Sequence, residues 1–388
     1  MKMGREAIEK ARGLRARLLG QEVTVYPTYG YREPGDATVW GVPMRVWVHD
    51  NRDTPFVEEW IERWAVGYFE RDLERPLEAV ERLRLEKSLA CFIADDKSNE
   101  SVEFMFADDP GSRWFSFSQR TSPNGIIEET IRIPDGLVSE IRSTQAGRSS
   151  HSAHWFKVLA RTADGRGAGE GRIRFLEGDG LSVVSDIDDT VKITQVPAGK
   201  KAVLRNSLLK PYRAAEGMRE RYEQLIADAG PTADVCFHYV SGAPWQIYHL
   251  LDEFLIEQER FPEGSFHMKN LRKNLFEPGA LDSIRAFILG GDLATLDQKV
   301  RQITNLMIHL PGRKFILIGD SGEKDPEAYR AIRRVFPEQV QRIIIRDVLS
   351  QRLEGMELIG GPDVPAALDT SELEEQLTAQ VRGQAAGQ

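Results

Sequence analysis

Apolar positions along the chain follow two different patterns, and the change falls near Gly178-Asp179-Gly180. Upstream, short alternating segments dominate: Val23, Val25, Tyr29; Val39, Trp40, Val42; Met44, Val46, Val48; Val102, Phe104, Phe106. Trp114, Phe115, Phe117, then Ile126, Ile127, Ile131, Ile133, then Trp155, Val158, Ala160 and Ile173, Phe175 continue the series. A period of two with turn residues between the runs predicts half-buried strands. Gly30, Pro34, Gly35 and Gly41-Val42-Pro43 read as turns, and Ser122-Pro123-Asn124-Gly125 as a hairpin. Thr54-Pro55 opens a helical stretch with Trp60, Ile61, Trp64 and Ala65 at helical spacing, and Leu77 to Leu89 forms a second. Residues 22–178 therefore read as a mainly antiparallel β-sandwich domain with a helical insertion.

Downstream, apolar strands alternate with amphipathic helices. The segments are Leu181–Ser185, Glu216–Ala229, Val235–Val240, Pro244–Gln258, Ile284–Leu289, Asp297–Leu310, Lys314–Gly319, Pro326–Phe336 and Ile343–Arg346. This alternation predicts an α/β domain over 179–360, a doubly wound parallel sheet. Residues 361–388 are rich in Pro, Gly, Ala and Gln and read as a flexible tail, with Ser371-Glu372-Leu373-Glu374 able to cap one short helix. At the other end, residues 1–21 form a basic amphipathic helix through Ile8, Ala11, Leu14 and Leu18. It either packs on the first domain or touches a membrane surface.

Composition narrows the function classes. Of 388 residues 41% are hydrophobic, enough for two cores, and the net charge of −9 argues against nucleic acid as a partner. Cys91 and Cys236 fit no metal spacing, which suits a reducing, cytoplasmic setting. No apolar run approaches the ~18 residues of a membrane span, and the N-terminus lacks the apolar core of a secretion signal. The expectation is a cytoplasmic protein with at most peripheral membrane contact.

The chemistry concentrates in Leu181-Ser182-Val183-Val184-Ser185-Asp186-Ile187-Asp188-Asp189-Thr190. A buried strand runs directly into three carboxylates, which repel unless a cation or a shared proton relieves them. Three further stretches supply complementary groups. The strand Phe237–Val240 ends in Ser241-Gly242, a hydroxyl and free N–H groups suited to a phosphate oxygen. The strand Phe315–Ile318 ends in Gly319-Asp320, with Asp325 five residues on, an oxygen-ligand pattern for Mg2+. Lys299 offers the positive charge that phosphoryl transfer needs, from what reads as a helix start, and Lys269 is its rival.

These motifs, in this order, resemble the four motifs of the haloacid dehalogenase superfamily. The longer strings Ser185–Thr194, Tyr239–Trp245 and Phe315–Pro326 resemble the catalytic domain of the actin-patch-protein phosphatidate phosphatases, over about Ser182 to Asp347. The resemblance implies that Asp186 is a nucleophile forming an aspartyl-phosphate and that Asp188 is the general acid, then base. It implies Mg2+ held by Asp186, the backbone carbonyl of Asp188 and Asp320, with Asp325 in support. Thr190 would hold the active-site loop, Ser241 a phosphate oxygen, and Asp189 a loop-fixing role or none.

Between the first two motifs, Lys200, Lys201, Arg205, Lys210 and Arg213 interleave with Leu208, Leu209 and Tyr212, a flap suited to an anionic, lipid-like substrate. Trp245 to Leu296 adds His267, Lys269 and Arg272 as further candidates for substrate contact. Neither insert reads as a separate cap domain, so an open site is expected. The leading expectation is a Mg2+-dependent phosphatase converting phosphatidate, or a related phosphomonoester, to the alcohol. The alternatives are the same chemistry on a soluble phosphomonoester or phosphoprotein, and a non-catalytic lipid- or protein-binding scaffold.

Overall fold

The computed structural model describes residues 21–50, 55–145, 154–270, 292–348, 357–358 and 371–386. The amphipathic stretch expected over 1–20 and the segment Ile284–Leu289 lie outside these. The chain divides into two compact units, Met1–Glu58 with Ile93–Glu177, and Glu59–Phe92 with Gly178–Gln388.

In the first unit, strands β1 (Gln21–Val25), β2 (Thr28–Glu33), β3 (Asp36–Asp50), β4 (Asp95–Asp96), β5 (Val102–Phe106), β6 (Phe115–Ser116), β7 (Ile126–Pro134), β8 (Phe156–Thr162) and β9 (Gly167–Phe175) hydrogen-bond into one sheet. A sandwich needs two sheets; here the ladder runs through a single mixed one, with β9 parallel to β1 and β2. β3 also runs straight through Gly41-Val42-Pro43, which the sequence reads as a turn. Proline is tolerated there because the β1–β2 break lies opposite, between the pairs Val25↔Val46 and Tyr31↔Gly41. Gly125 does turn the chain, at φ 68°, but β7 then pairs with β3, while β6 pairs with β5. Helix α1 (Pro55–Leu73) and helix α2 (Ala79–Ile93) follow β3 in sequence, and helix α3 (Asp135–Gln145) follows β7. Trp40, Phe104, Phe106, Phe156 and Phe175 fill the core with Val138 and Ile141 of α3.

The second unit holds a six-stranded sheet, ordered β12 (Gly264–Lys269), β11 (Val235–Pro244), β10 (Leu181–Asp186), β13 (Lys314–Asp320), β14 (Val340–Arg346), β15 (Glu357–Leu358). All pairings are parallel except that of β15. The chain leaves β10 for β11 and β12 on one side and returns to β13 and β14 on the other. That reversal opens a crevice at the carboxyl ends of β10 and β13. Helix α4 (Met218–Ala229) lays Tyr222 on Phe237, with ring centroids 5.2 Å apart, and bonds Ser185 Oγ through its hydroxyl at 2.5 Å. Helix α5 (Asp292–His309), helix α6 (Asp325–Val335) and helix α7 (Ser371–Ala386) also belong to the unit, as do short helical segments at Lys200–Leu204 and Tyr248–Asp252. Where a flexible tail is expected, α7 buries Leu377 and bonds Asn305 from Gln380.

The helical pair, read from the sequence as part of the first domain, groups with the second unit from Glu59 to Phe92. Leu85, Leu89 and Phe92 make its buried stripe at helical spacing. Ser88 Oγ donates to the Leu208 carbonyl at 3.3 Å, and Asp72 accepts from Lys201 at 2.8 Å and Arg205 at 2.7 Å.

The opposite end of the sheet is fastened by Arg313, which is fully buried. Its guanidinium donates to the carbonyls of Asp179, Leu181 and Asp234, to Asp234 Oδ2 and to Ser182 Oγ, at 2.6 to 3.0 Å. Gly180 is required beside it, since its φ is 121° and a Cβ would sit 2.6 Å from Arg313 Nη1. Replacing Arg313 by Met should lower the unfolding free energy by about 3 kcal/mol, because several buried acceptors lose their donor together. Urea denaturation would read this as a lower midpoint at unchanged slope.

Candidate active site

Five side chains meet where β10 and β13 end. Lys299 Nζ lies 2.8 Å from Asp186 Oδ1, 2.5 Å from Asp325 Oδ1 and 3.1 Å from Glu323 Oε2. Asp186, Asp320, Asp325 and Lys299 are all buried. Lys299 does not open its helix; α5 begins at Asp292, and the lysine reaches the site from its second turn. The rival Lys269 ends β12 opposite Pro244, on the far side of β11 from β10.

The loop after β13 is built to return Asp325 to the strand. Asp320 Oδ1 accepts the N–H groups of Gly322 at 2.6 Å and Glu323 at 3.2 Å, which curls the chain into α6. Asp325 Oδ2 then accepts the Asp320 N–H at 3.3 Å. Gly319 permits this approach, because a Cβ there would meet Asp325 Oδ2 at 2.3 Å.

Carboxyl oxygens of Asp186, Asp320 and Asp325 lie within 4.8 Å of one another. Asp186 Oδ2 and Asp320 Oδ2 are buried with no hydrogen-bond partner among the described residues. Buried acceptors left without donors are costly, and an all-oxygen donor set suits a hard divalent cation. The residues present therefore fit such an ion. Burial, with the neighbouring acids Asp325, Glu323 and Asp320, pushes the Asp186 carboxyl well above its usual range despite Lys299. Burial and the charges of Asp325 and Glu323 push Asp320 up to about 8.

Asp188 stands in a second, separate set of contacts. Its Oδ1 accepts from Lys192 Nζ at 2.6 Å and Thr194 Oγ1 at 2.7 Å, and its Oδ2 from Ser241 Oγ at 3.1 Å. Burial pushes its carboxyl up, but the Lys192 charge and these donors outweigh burial and hold it below the ordinary range. Ser241, read as a phosphate hook beside Gly242, spends its hydroxyl on Asp188 and receives the Ala243 N–H at 3.0 Å. Thr190 is fully buried, and its Oγ1 has no partner among the described residues.

Asp189 acquires a definite part. Its φ of 54° is one that aspartate tolerates in tight turns. Its Oδ1 accepts the N–H groups of Thr194 and Gln195 at 2.7 Å each, and its Oδ2 that of Val196 at 2.5 Å. Arg346, at the end of β14, donates to the Asp189 carbonyl at 2.6 Å. The third acid of the motif thus anchors the loop that leaves the site.

Lys192, Thr194, Glu323 and Arg346 are the residues that motif reading passes over. Only the position of Lys192 carried a signal, a lysine four residues beyond the second acid.

Buried carboxylates around one lysine, at the carboxyl ends of parallel strands, define a class of acidic centres that could hold a cation. Residues 181–347 match the family described as phosphatidate phosphatase APP1, catalytic domain, so the resemblance read from the motifs holds over this part of the chain. Phosphatidate phosphatase APP1 of Saccharomyces cerevisiae is 33% identical over 169 residues, which are 43% of this chain and 26% of that protein. An uncharacterized protein of Schizosaccharomyces pombe is 30% identical over 180 residues, 45% of this chain and 26% of that protein. The chain thus spans about a quarter of the length of these curated relatives. Among solved structures, a putative beta-galactosidase from Bacteroides fragilis gives a TM-score of 0.23 at 9% identity, covering 84% of this chain and 46% of that one, and bears on nothing here.

The raised carboxyls set the sign of a pH effect. With Asp320 at about 8 in the folded protein and about 4 when unfolded, the folded state binds the extra proton between those values. Stability of the protein in chelator should therefore fall as pH rises from about 6.5 to about 8; below that, His267 and His309, which burial lowers to about 4, pull the other way. Asp188, whose shift is opposite, acts only below that window. Melting temperatures across the range test this: Asp320→Asn should flatten the slope, and a rise in the wild type would contradict it.

Proposed function

We propose that this chain is a divalent-cation-dependent phosphatase that hydrolyses a phosphomonoester, with phosphatidate as the leading substrate. The observation that carries the reading is the buried Asp186, with one oxygen on Lys299 and the other without a partner beside Asp320. A nucleophilic carboxylate needs one oxygen oriented and the other available for attack. The domain reading of 179–360 as a haloacid-dehalogenase-like catalytic domain belongs to the same proposal, and Glu59–Phe92 is added to it.

Asp186 attacks phosphorus, and the ester P–O bond breaks as the new P–O bond forms. Asp188, ionised beside Lys192 in the free site, takes up the proton that the phosphate monoanion brings, gives it to the departing alkoxide and later takes one from the water that cleaves the aspartyl-phosphate. Lys299 holds the attacking carboxylate and offsets charge on the transferring phosphoryl group. Asp186 and Asp320, with Asp325 in support, would hold Mg2+ or a similar ion, which when bound neutralises phosphate charge. Thr190 and the backbone at Gly242 are the remaining candidates for phosphate contact.

Phosphatidate is favoured over soluble esters by the name of the yeast relative and by the basic residues that follow the first motif in sequence. Lys200, Lys201, Lys210 and Arg213 are exposed on the stretch that follows the first motif. Among the described residues no helix is long and apolar enough to cross a membrane, so the headgroup would be met at a bilayer surface.

Phosphate release from phosphatidate vesicles, compared with sugar phosphates, nucleotides and a phosphopeptide, tests the substrate. Asp186→Asn should lower turnover on every active substrate by more than about 1000-fold. Equal turnover by that variant would remove the catalytic reading and leave the scaffold alternative. Mg2+ should also raise the melting temperature of the wild type, and Asp320→Ala should lose most of that rise.

A further inference from the structure

Lys192 is 2% exposed, and an ammonium at that depth is stabilised only by close partners. It has them in Asp188 Oδ1 at 2.6 Å and Thr194 Oγ1 at 2.7 Å, while Thr194 Oγ1 itself reaches Asp188 Oδ1. With Ser241 on the other oxygen, the Asp188 carboxyl is held by three donors, two from the loop after β10 and one from β11. The tight turn 187–192 makes this possible: Lys192 N–H bonds the Ile187 carbonyl at 2.9 Å, and Asp189 N–H bonds the Lys192 carbonyl at 2.7 Å.

Behind Lys192 lies the Tyr212 ring, its centroid 4.9 Å from Nζ. Arg84 of α2 lies 4.2 Å from the same centroid. Tyr212 OH donates to the Ser207 carbonyl at 3.2 Å, on the stretch that Ser88 and Asp72 also hold. The Lys192 backbone is tied to the chain just after Tyr212 by Ile193 N–H to the Arg213 carbonyl and Ala215 N–H to the Val191 carbonyl, both at 2.9 Å. A continuous set of contacts therefore runs from α2 through Tyr212 and Lys192 to Asp188.

We infer that Lys192 is a positioning residue for the acid/base carboxylate of Asp188, and that the helical pair 59–92 sets its place through Arg84 and Tyr212. The inference rests on the proposed part of Asp188 in phosphoryl transfer. It makes a segment outside the matched residues 181–347 a working part of the active site.

Leaving-group dependence separates this from a merely structural lysine. kcat/KM reports events up to phosphoryl transfer, where an alkyl ester needs a proton on its departing oxygen and a nitrophenyl ester does not. Asp188→Asn serves as the reference and should lose far more kcat/KM on the alkyl ester. Lys192→Met should show the same selectivity, with a loss of about 100-fold on the alkyl ester and a small one on the aryl ester. Lys192→Arg should recover part of the loss. Arg84→Ala, on a partly exposed helix face, should lower the alkyl ester value a few-fold in the same selective way, and it carries the test if Lys192→Met fails to fold. Equal losses on both esters in Lys192→Met and Arg84→Ala, with Asp188→Asn still selective, overturn the inference alone. An unselective Asp188→Asn overturns the acid/base reading, and the inference with it.

Discussion

The second unit depends on how it keeps negative charge buried at the ends of β10 and β13. Asp186, Glu323 and Asp325 surround Lys299 with Asp320 beside them, and the Oδ2 atoms of Asp186 and Asp320 have no hydrogen-bond partner among the described residues. Such crowding is unfavourable by itself, as the raised carboxyls of Asp186 and Asp320 attest. It persists because the rest of the sheet over-determines it: Arg313 fastens the far end, and Gly319 lets Asp325 fold back onto its own strand. The centre is consequently strained towards binding positive charge.

Two neighbouring aspartates of one motif are given opposite surroundings. Asp186 faces other acids and is pushed up, whereas Asp188, two residues on, is held down by Lys192 and two hydroxyls. Alternation along an extended chain sends the two side chains to different sides, so each enters its own set of contacts. The two carboxyls of one motif are thereby kept chemically distinct. The flap that supplies Lys192 is in turn clamped by α1 and α2. The helical pair, which follows the first β-strands in sequence, thereby works on the second unit.

Much of the site was legible because a buried parallel strand that ends in acids is written locally, in consecutive residues. Asp186, Asp320 and Asp325 could be proposed from strand ends alone, and Lys299 from its order between them. Glu323 was passed over because one acid in a polar loop has no period to mark it. Thr194 reaches Asp188 only through the turn at Asp189, and Ser241 only through the pairing of β11 with β10. β12 was missed since Gly264–Lys269 is short and mixed in polarity, and Ser265 and His267 are kept inside by bonding each other at 2.9 Å. In the first unit, Pro43 looked like punctuation because a proline normally breaks a ladder. The break between β1 and β2 removes that penalty, a compensation invisible without pairing.

The sequence by itself determined the two periodicities, the order of the acidic and basic strand ends, and the class of chemistry they suit. These follow from local rules of backbone period and charge. The tertiary structure alone decided which lysine meets Asp186, that Asp189 ties down a loop, and that residues 59–92 lie with the α/β unit. Those depend on groups as far as 157 positions apart, as Asp189 and Arg346 are, or 133, as Asp72 and Arg205 are, being brought within 3 Å by tertiary packing. No pattern along the chain encodes such a meeting.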